Sequence, residues 1–301
     1  MSTTPSTRGT TVVELATPAG VEPHRPTRRP ASPSASRPRF GVPPLLGRIG
    51  LRLLSAAILV LLWWAVSAAG EPDPTLRPSP GLVWQTLVDL SSPASGGYNG
   101  LTWWQHLEVS LQRVGLGAGF GIAGGLILGL LMGVVAPLRI AVEPLLTFVR
   151  NLPPLAYFSL VVIWFGIDET PKVILLAIAA LPPVAVVTAG AVLGAPRSLL
   201  EAGRSIGLGR AGVVRHVVIP SALPEVLTGI RLSVAIAYSS LVAAETVNGL
   251  PGIGGMVRDA QAYNNTAVVV VGILAIGFSG LLIDSAIAAV ADRVAPWRGN
   301  S

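Results

Sequence analysis

Apolar residues in this chain neither alternate nor keep to one helical face; they run together in blocks as long as a bilayer is thick. Six such blocks succeed one another, at about Leu51–Ala69, Leu107–Val135, Leu145–Phe165, Lys172–Leu193, Val226–Val247 and Ala267–Ala291. A helix of about 20 apolar residues crosses a hydrocarbon core of roughly 30 Å. Each block therefore predicts a transmembrane helix, and the six together an all-α integral membrane fold. A soluble α/β protein with very apolar buried strands would need shorter runs, of about 4–8 residues; these are helix-length and barely interrupted by charge. Within the second block, Gly117, Gly121, Gly125, Gly129 and Gly133 recur every four residues. Small residues at that spacing leave a groove into which a neighbouring helix backbone can settle.

The segments between the blocks set the domain plan and the orientation. Residues 1–44 are rich in Pro, Ser, Thr and Arg, a composition that cannot offset the entropy of ordering. They read as a disordered, solvated cytoplasmic tail, and the transmembrane domain fills 45–301. Arg28-Arg29 invites a twin-arginine export reading, but no apolar stretch follows closely, and a cleaved signal peptide would place its apolar core within about the first 30 residues. With the N-terminus inside, Arg139, Arg150, Arg197, Arg204, Arg210 and Arg215 fall at cytoplasmic loops, and Arg293 and Arg298 at the C-terminal end. The outer loops keep Arg77, Lys172 and Arg258. Such a bias marks the cytoplasmic side, so a multi-pass protein of the plasma (inner) membrane with both termini cytoplasmic is expected. Over residues 70–106, Pro72, Pro74, Pro78 and Pro80 predict extended chain. Leu82, Val83, Leu87, Val88 and Leu90 then predict a short helix at the outer surface. Trp103 and Trp104 suit an interfacial aromatic belt, with ligand contact as the alternative.

One polar, basic island interrupts the second half of the chain, from Ala195 to Pro224. Pro196 and Arg197 end the fourth block. Ser198 can cap a short helix over about Leu199–Ile206, with Glu201 completing a capping box. Gly207 and Gly209 break that helix, and Pro220 stops a second one over about Ala211–Val218. The island is either an ordinary amphipathic loop or a knob gripped by a soluble partner. Ala202 and Gly203 permit close approach, and Glu201 and Arg204 offer charge-assisted contacts that fix orientation.

Composition narrows the chemistry. The 301 residues are 51% hydrophobic and 12% charged, against about 25% charged in soluble domains. A net charge of +6 can mean nucleic acid, but the one-sided arginine distribution accounts for it, so the lipid bilayer is expected and nucleic acid is not. There is no cysteine, hence no disulfide or thiolate metal site. His24, His106 and His216 lack ligand spacing. No Gly-x-x-x-x-Gly-Lys-Ser/Thr phosphate loop occurs, and no Ser, His and Asp are arranged as a nucleophilic set. No catalytic, cofactor or metal residue is expected, and the chain is not read as an enzyme.

The island resembles the cytoplasmic EAA loop of ABC importer permeases, whose pattern is Glu-Ala-Ala, three residues, Gly, nine residues, then Ile-any-Leu-Pro. Here stand Glu201-Ala202-Gly203, Gly207 and Val217-Val218-Ile219-Pro220, in register over 20 positions. Gly203, Val217 and Ile219 depart from the pattern by small or apolar exchanges; Gly203 loosens the short helix by up to about 1 kcal/mol relative to alanine. The resemblance runs from about residue 45 to the C-terminus. Arg150-Asn151-Leu152-Pro153-Pro154-Leu155-Ala156 and Ile163-Trp164-Phe165-Gly166-Ile167 resemble the third span of nitrate/sulfonate/taurine-type permeases, and 222–231 and Leu241-Val242-Ala243-Ala244-Glu245 the fifth. Trp104-Gln105-His106-Leu107 and Ala295-Pro296-Trp297-Arg298-Gly299 look most like the taurine branch.

That resemblance implies a type I importer transmembrane domain: six spans with a short cytoplasmic coupling helix between spans four and five. It implies ATP-driven import of a small anion, taurine or another alkanesulfonate, with nitrate or another small nutrient as the alternative. It also implies partners: two copies of an ABC ATPase subunit, an extracytoplasmic substrate-binding protein and a second copy of this chain. Glu201, Ala202, Gly203, Arg204, Ser205, Ile206, Gly207 and Pro220 would then couple to the ATPase.

Charges inside spans are candidates for a solute path. Arg231 and Glu245 are 14 residues apart, roughly 21 Å along a helix; they lie on nearly one face and cannot pair with each other. Tyr238, Ser239 and Ser240 lie between them. These five could line a water-filled passage at a dimer axis. Alternatively, Arg231 snorkels to the inner interface and Glu245 caps a neighbouring loop. Asp284, nearer the cytoplasmic end of the sixth block, reads as interfacial. A secondary carrier or channel calls for internal repeats, broken helices or a midplane ion site, and a membrane enzyme for polar residues clustered at one face; none stands out in the sequence.

Overall fold

The computed structural model describes residues 45–69 and 75–297; the expected tail over 1–44, Pro72, Pro74 and the chain from Arg298 lie outside the described residues. Among the described residues the chain is helical and forms no strand, with one isolated bridge between Tyr98 and Leu101. Packing divides the chain after Leu53. The first unit contributes the opening turns of α1 (Leu45–Ala68), and the second, from Leu54 onward, holds the remaining elements.

The second unit is organised around α3 (Trp103–Val134) and α6 (Glu169–Leu193). The glycine groove on α3 is filled by α6. A Cβ added at Gly117 would stand 2.9 Å from the Val173 carbonyl, at Gly121 2.5 Å from that of Ala177, at Gly125 2.8 Å from that of Leu181 and at Gly129 2.5 Å from that of Ala185. Backbone meets backbone at these four rungs, which only glycine allows, while Gly133 packs against the Val192 side chain. Against α6 also pack α9 (Ile219–Asn248) and the shorter α4 (Ala136–Asn151) and α5 (Pro154–Phe165). Two helices cover the end of the bundle where α3 and α6 begin. These are α2 (Pro80–Ser91), which realises the short helix expected there, and α10 (Ile253–Ala262). Val83 and Leu90 of α2 share a buried cluster with Ile253, Met256 and Ala260 of α10 and Val268, Val271 and Ala275 of α11 (Thr266–Val294). At the opposite end lie α7 (Arg197–Ser205) and α8 (Arg210–Val213).

The described residues do not by themselves confirm six spans. Among the described residues four helical runs are long and apolar enough to cross a membrane: α3, α6, Arg210–Val247 and α11. The pair α4–α5 makes a fifth only as a broken span, because the two meet at 99°. The third block is thus two helices and not one. Leu152 and Pro153 each precede a proline, which pushes them out of the α region, and both are extended, at ψ 129° and 127°. The described apolar part of α1, Leu53–Ala68, falls short of a full crossing. Pro220 also behaves differently from expectation. It sits in the first turn of α9, where its missing N–H is an orphan in any case. The chain enters that turn through a π-helical segment, Val214–Val218, closed by the Ile219 N–H on the Val214 carbonyl. This register change lets α8 run into α9 instead of stopping.

Overpacking a tight helix contact costs about 1–3 kcal/mol, occasionally more. Gly121→Leu and Gly129→Leu are therefore expected to lower the thermal midpoint of the detergent-solubilised chain. Gly119→Ala, where a Cβ meets nothing within 4 Å, should leave it unchanged or slightly raised. Equal effects of all three would show that α3 and α6 are not held by close approach.

Candidate functional site

The predicted coupling residues form a short, fixed helix. α7 is entered from Pro196, an extended N-cap at φ −58° and ψ 128°, whose carbonyl receives the N–H groups of both Leu199 and Leu200. The helix thus starts two residues earlier than expected, Ser198 lies inside its first turn, and the Ser198–Glu201 capping box is not formed. The other end follows the sequence. Gly207 is left-handed at φ +85°, and its N–H binds the Arg204 carbonyl at 3.0 Å while the Leu208 N–H binds that of Gly203 at 3.1 Å. This is a Schellman stop, which glycine fills without the Cβ penalty of other residues.

Gly203 is the buried residue of α7: a Cβ there would lie 3.1 Å from Val217 Cγ2. Glu201, Ala202, Arg204, Ser205 and Ile206 are exposed, and the Ser205 hydroxyl is turned back onto the Glu201 carbonyl at 2.9 Å. Ala191, Val192 and Ala195 from the end of α6, Val213 and Val218, and Ala222 of α9 form one buried cluster that Leu200 and Leu208 join. The loop is therefore seated on the ends of both α6 and α9.

The opposite end of the bundle holds a buried charge network. Glu245, fully buried near the end of α9, accepts from the Arg113 guanidinium, from Ser110 Oγ at 2.8 and 2.9 Å and from the Gly254 N–H at 2.9 Å. Arg113 also binds Glu169, through Nε at 2.5 Å and a terminal nitrogen at 2.7 Å, and Lys172 reaches Glu169 at 3.0 Å. Ser110 Oγ in turn accepts from the Ile253 N–H at 2.9 Å. His106, also fully buried, accepts the Gly252 N–H on Nδ1, which leaves Nε2–H to donate to the Tyr98 carbonyl at 3.0 Å. The glycine-rich turn 249–255 wraps so closely that a Cβ at Gly252 would lie 2.6 Å from both Arg113 and Glu245. On the surface beside it, Tyr98 donates to Asp259 at 2.7 Å. Burial first, then that carboxylate, raise the Tyr98 phenol well above its ordinary range, so it stays a donor.

The five candidate path residues do not form one continuous polar face. Arg231 pairs with Asp284 of α11, and the pair is nearly half exposed. The Tyr238 hydroxyl is turned to Ser279 and the Ile276 carbonyl. Ser239 and Ser240 bond back to the Ala235 and Ile236 carbonyls. Arg231, Tyr238 and Ser239 line a cavity of about 200 Å³ against α11, while Ser239 and Ser240 line a second groove against Pro153 and Pro154. Glu245 stands apart in its network. Arg231 and Glu245 indeed have separate partners.

Ser110 and Arg113 were not picked out by the sequence reading as partners of Glu245, nor Glu169 and Lys172 as the groups that extend the network from Arg113. The signal was present: a cation at 113, inside an apolar block, demands an internal counter-charge.

The fold is a helical membrane domain whose polar elements gather at two opposite ends. Residues 121–296 match the family of binding-protein-dependent transport system inner membrane components. TauC, the taurine transport system permease protein of Escherichia coli (strain K12), is 36% identical over 257 residues, 85% of this chain and 93% of TauC. SsuC of Bacillus subtilis (strain 168), named for aliphatic sulfonates transport, is 32% identical over 248 residues, 82% of this chain and 87% of SsuC. A crystal structure of an amino acid ABC transporter superposes with a TM-score of 0.52 over 64% of this chain and 92% of that one, at 19% identity, which speaks for the fold alone. The chain belongs to the family of binding-protein-dependent transport system inner membrane components, and is an ABC importer permease of the nitrate/sulfonate/taurine group.

Removing one member of a buried ion pair costs about 3–5 kcal/mol. Glu245→Ala and Arg113→Met are each expected to destabilise the chain strongly, and the double variant by clearly less than their sum. A thermal-unfolding double-mutant cycle in detergent measures this, and simple additivity would rule out coupling between the two.

Proposed function

We propose that this chain imports taurine or another alkanesulfonate, as a homodimer bound to two ATPase subunits on the cytoplasmic face and fed by an extracytoplasmic substrate-binding protein. The observation that carries the reading is α7, a short helix with Glu201 and Arg204 exposed, ended by Gly207 and seated on the ends of both α6 and α9. A push on α7 is a push on two spans at once. The solute class is supported by the taurine and aliphatic-sulfonate names of the relatives, with nitrate as the competing anion. Solute passes along the α9 strip of Arg231, Tyr238, Ser239 and Ser240, and Glu245 anchors the outer end of that strip. Residues 1–44 form a cytoplasmic tail on a transmembrane domain spanning 45–301.

The test is uptake of radiolabelled taurine by proteoliposomes holding the permease, its ATPase and its binding protein. Uptake should require ATP and all three components; accumulation by the permease alone would refute the importer reading. Glu201→Lys should abolish uptake and release the ATPase while leaving membrane insertion intact. Nitrate outcompeting taurine would move the solute assignment within the family.

Sidedness is checked in the naturally cysteine-free chain. Cysteine at Ala94 should react with an impermeant thiol reagent added outside intact cells, and cysteine at Ser205 should resist it. The reverse pattern would invert the topology.

A further inference from the structure

The coupling end carries a second feature that the importer pattern does not include. Between α7 and the chain just beyond α11 lies an open slot of about 780 Å³. Leu199 and Ile206 form one wall, Val217 and Pro220 the floor, and Trp297 the far wall. Leu199, Ile206 and Trp297 are 46%, 78% and 47% exposed. Ala295, two residues before the tryptophan, is fully buried, so this wall is seated in the bundle. His216 also lines it, and the same loop is basic: Arg197, Arg204, Arg210 and Arg215 are all exposed, with Glu201 the acidic member on α7.

We propose that this slot receives an apolar side chain projected by the partner ATPase from a surface rich in carboxylates, so that the coupling interface interlocks in both directions. α7 enters a groove on the ATPase, and the ATPase enters a groove on the permease whose far wall is Trp297. The inference rests on the reading of α7 as the coupling helix. A concave apolar floor with large side chains standing free around it is the form of an interfacial anchor pocket. The exposed arginines of the same loop select an acidic partner surface and steer it into place. The slot also ties the chain just beyond α11 to the interface through Trp297, where the cluster beneath α7 draws on α3, α6 and α9.

Pro296, exposed beside the slot, is replaced by cysteine and labelled with benzophenone maleimide in the assembled complex. Photolysis should join the chain to the subunit whose sequence carries the Gly-x-x-x-x-Gly-Lys-Ser/Thr loop. Adducts confined to lipid or to the permease itself would overturn the proposal. Independently, Trp297→Ala, and Ser221→Phe, which fills the slot from its floor, should each lower the ATPase retained on the purified permease about tenfold, the size of losing one interfacial anchor. Trp297→Phe should retain it, which separates the slot from a folding defect. Arg204→Glu on α7 is the reference. If it releases the ATPase while Trp297→Ala and Ser221→Phe do not, the slot is wrong and the coupling helix stands. If none of the three releases it, the coupling reading fails as well.

Discussion

Both ends of this molecule depend on how closely α3 approaches α6. Lipid tails are as apolar as leucine, so burial from water cannot hold two spans together; close packing must do it. The glycine ladder supplies that packing with one constant register. Gly117 meets Val173, Gly121 Ala177, Gly125 Leu181 and Gly129 Ala185, each pair 56 residues apart. One turn before Gly117 the same offset of 56 brings Arg113 to Glu169. The ion pair is the next rung of the ladder, continued by charge where the helices leave the apolar region. At the other end Gly133 meets Val192, and Val192 belongs to the cluster on which the α7 loop sits. A single helix pair thus positions the charged network and the loop.

The charged network shows how a membrane domain tolerates a fully buried carboxylate. An unpaired charge there would be prohibitive, and Glu245 is given a cation, a hydroxyl and a backbone N–H. Arg113 is satisfied in turn by Glu169, which is itself more than half exposed and shares its charge with Lys172. Counting Arg113, Lys172, Glu169 and Glu245, the cluster is neutral. It ties α3, α6, α9 and the 249–255 turn at one point.

Helix identity and the short helix of the polar island were legible because their signals are local. Apolar block length, the four-residue glycine repeat and the Gly207 stop each act within a few residues. Three features escaped for a common reason: they are set by neighbours in space or by two adjacent residues acting together. The third block is as apolar as the others, and Pro153-Pro154 reads as a helix start until two successive extended residues turn the chain through 99°. Ser198 has the right spacing for a capping box, but Pro196 starts the helix first. Glu245 was visible as a buried charge, yet its partners come from positions 135, 132 and 9 residues away. The cation at 113 was the one clue that block hydropathy averaged out.

The break between α4 and α5 bears on where solute moves. α5 has 12 residues, about 18 Å of helix, and cannot cross a core of roughly 30 Å by itself. As half of a broken span or of a re-entrant loop, it would start at membrane depth, where non-helical backbone persists only against protein or a water-filled cavity. Asn151 and Pro153 are exposed in the single chain, so something other than lipid must cover them. The groove beside them is lined by Pro153, Pro154, Ser239 and Ser240, and Ser239 also borders the Arg231–Asp284 cavity. An ion pair that is nearly half exposed on the same flank of α9 is equally unsuited to lipid. Both observations set the same flank of α9 apart from the lipid-facing surface of the bundle. The passage proposed above would run along α9 from the α5 break to Asp284, with Glu245 held apart from it in its own network.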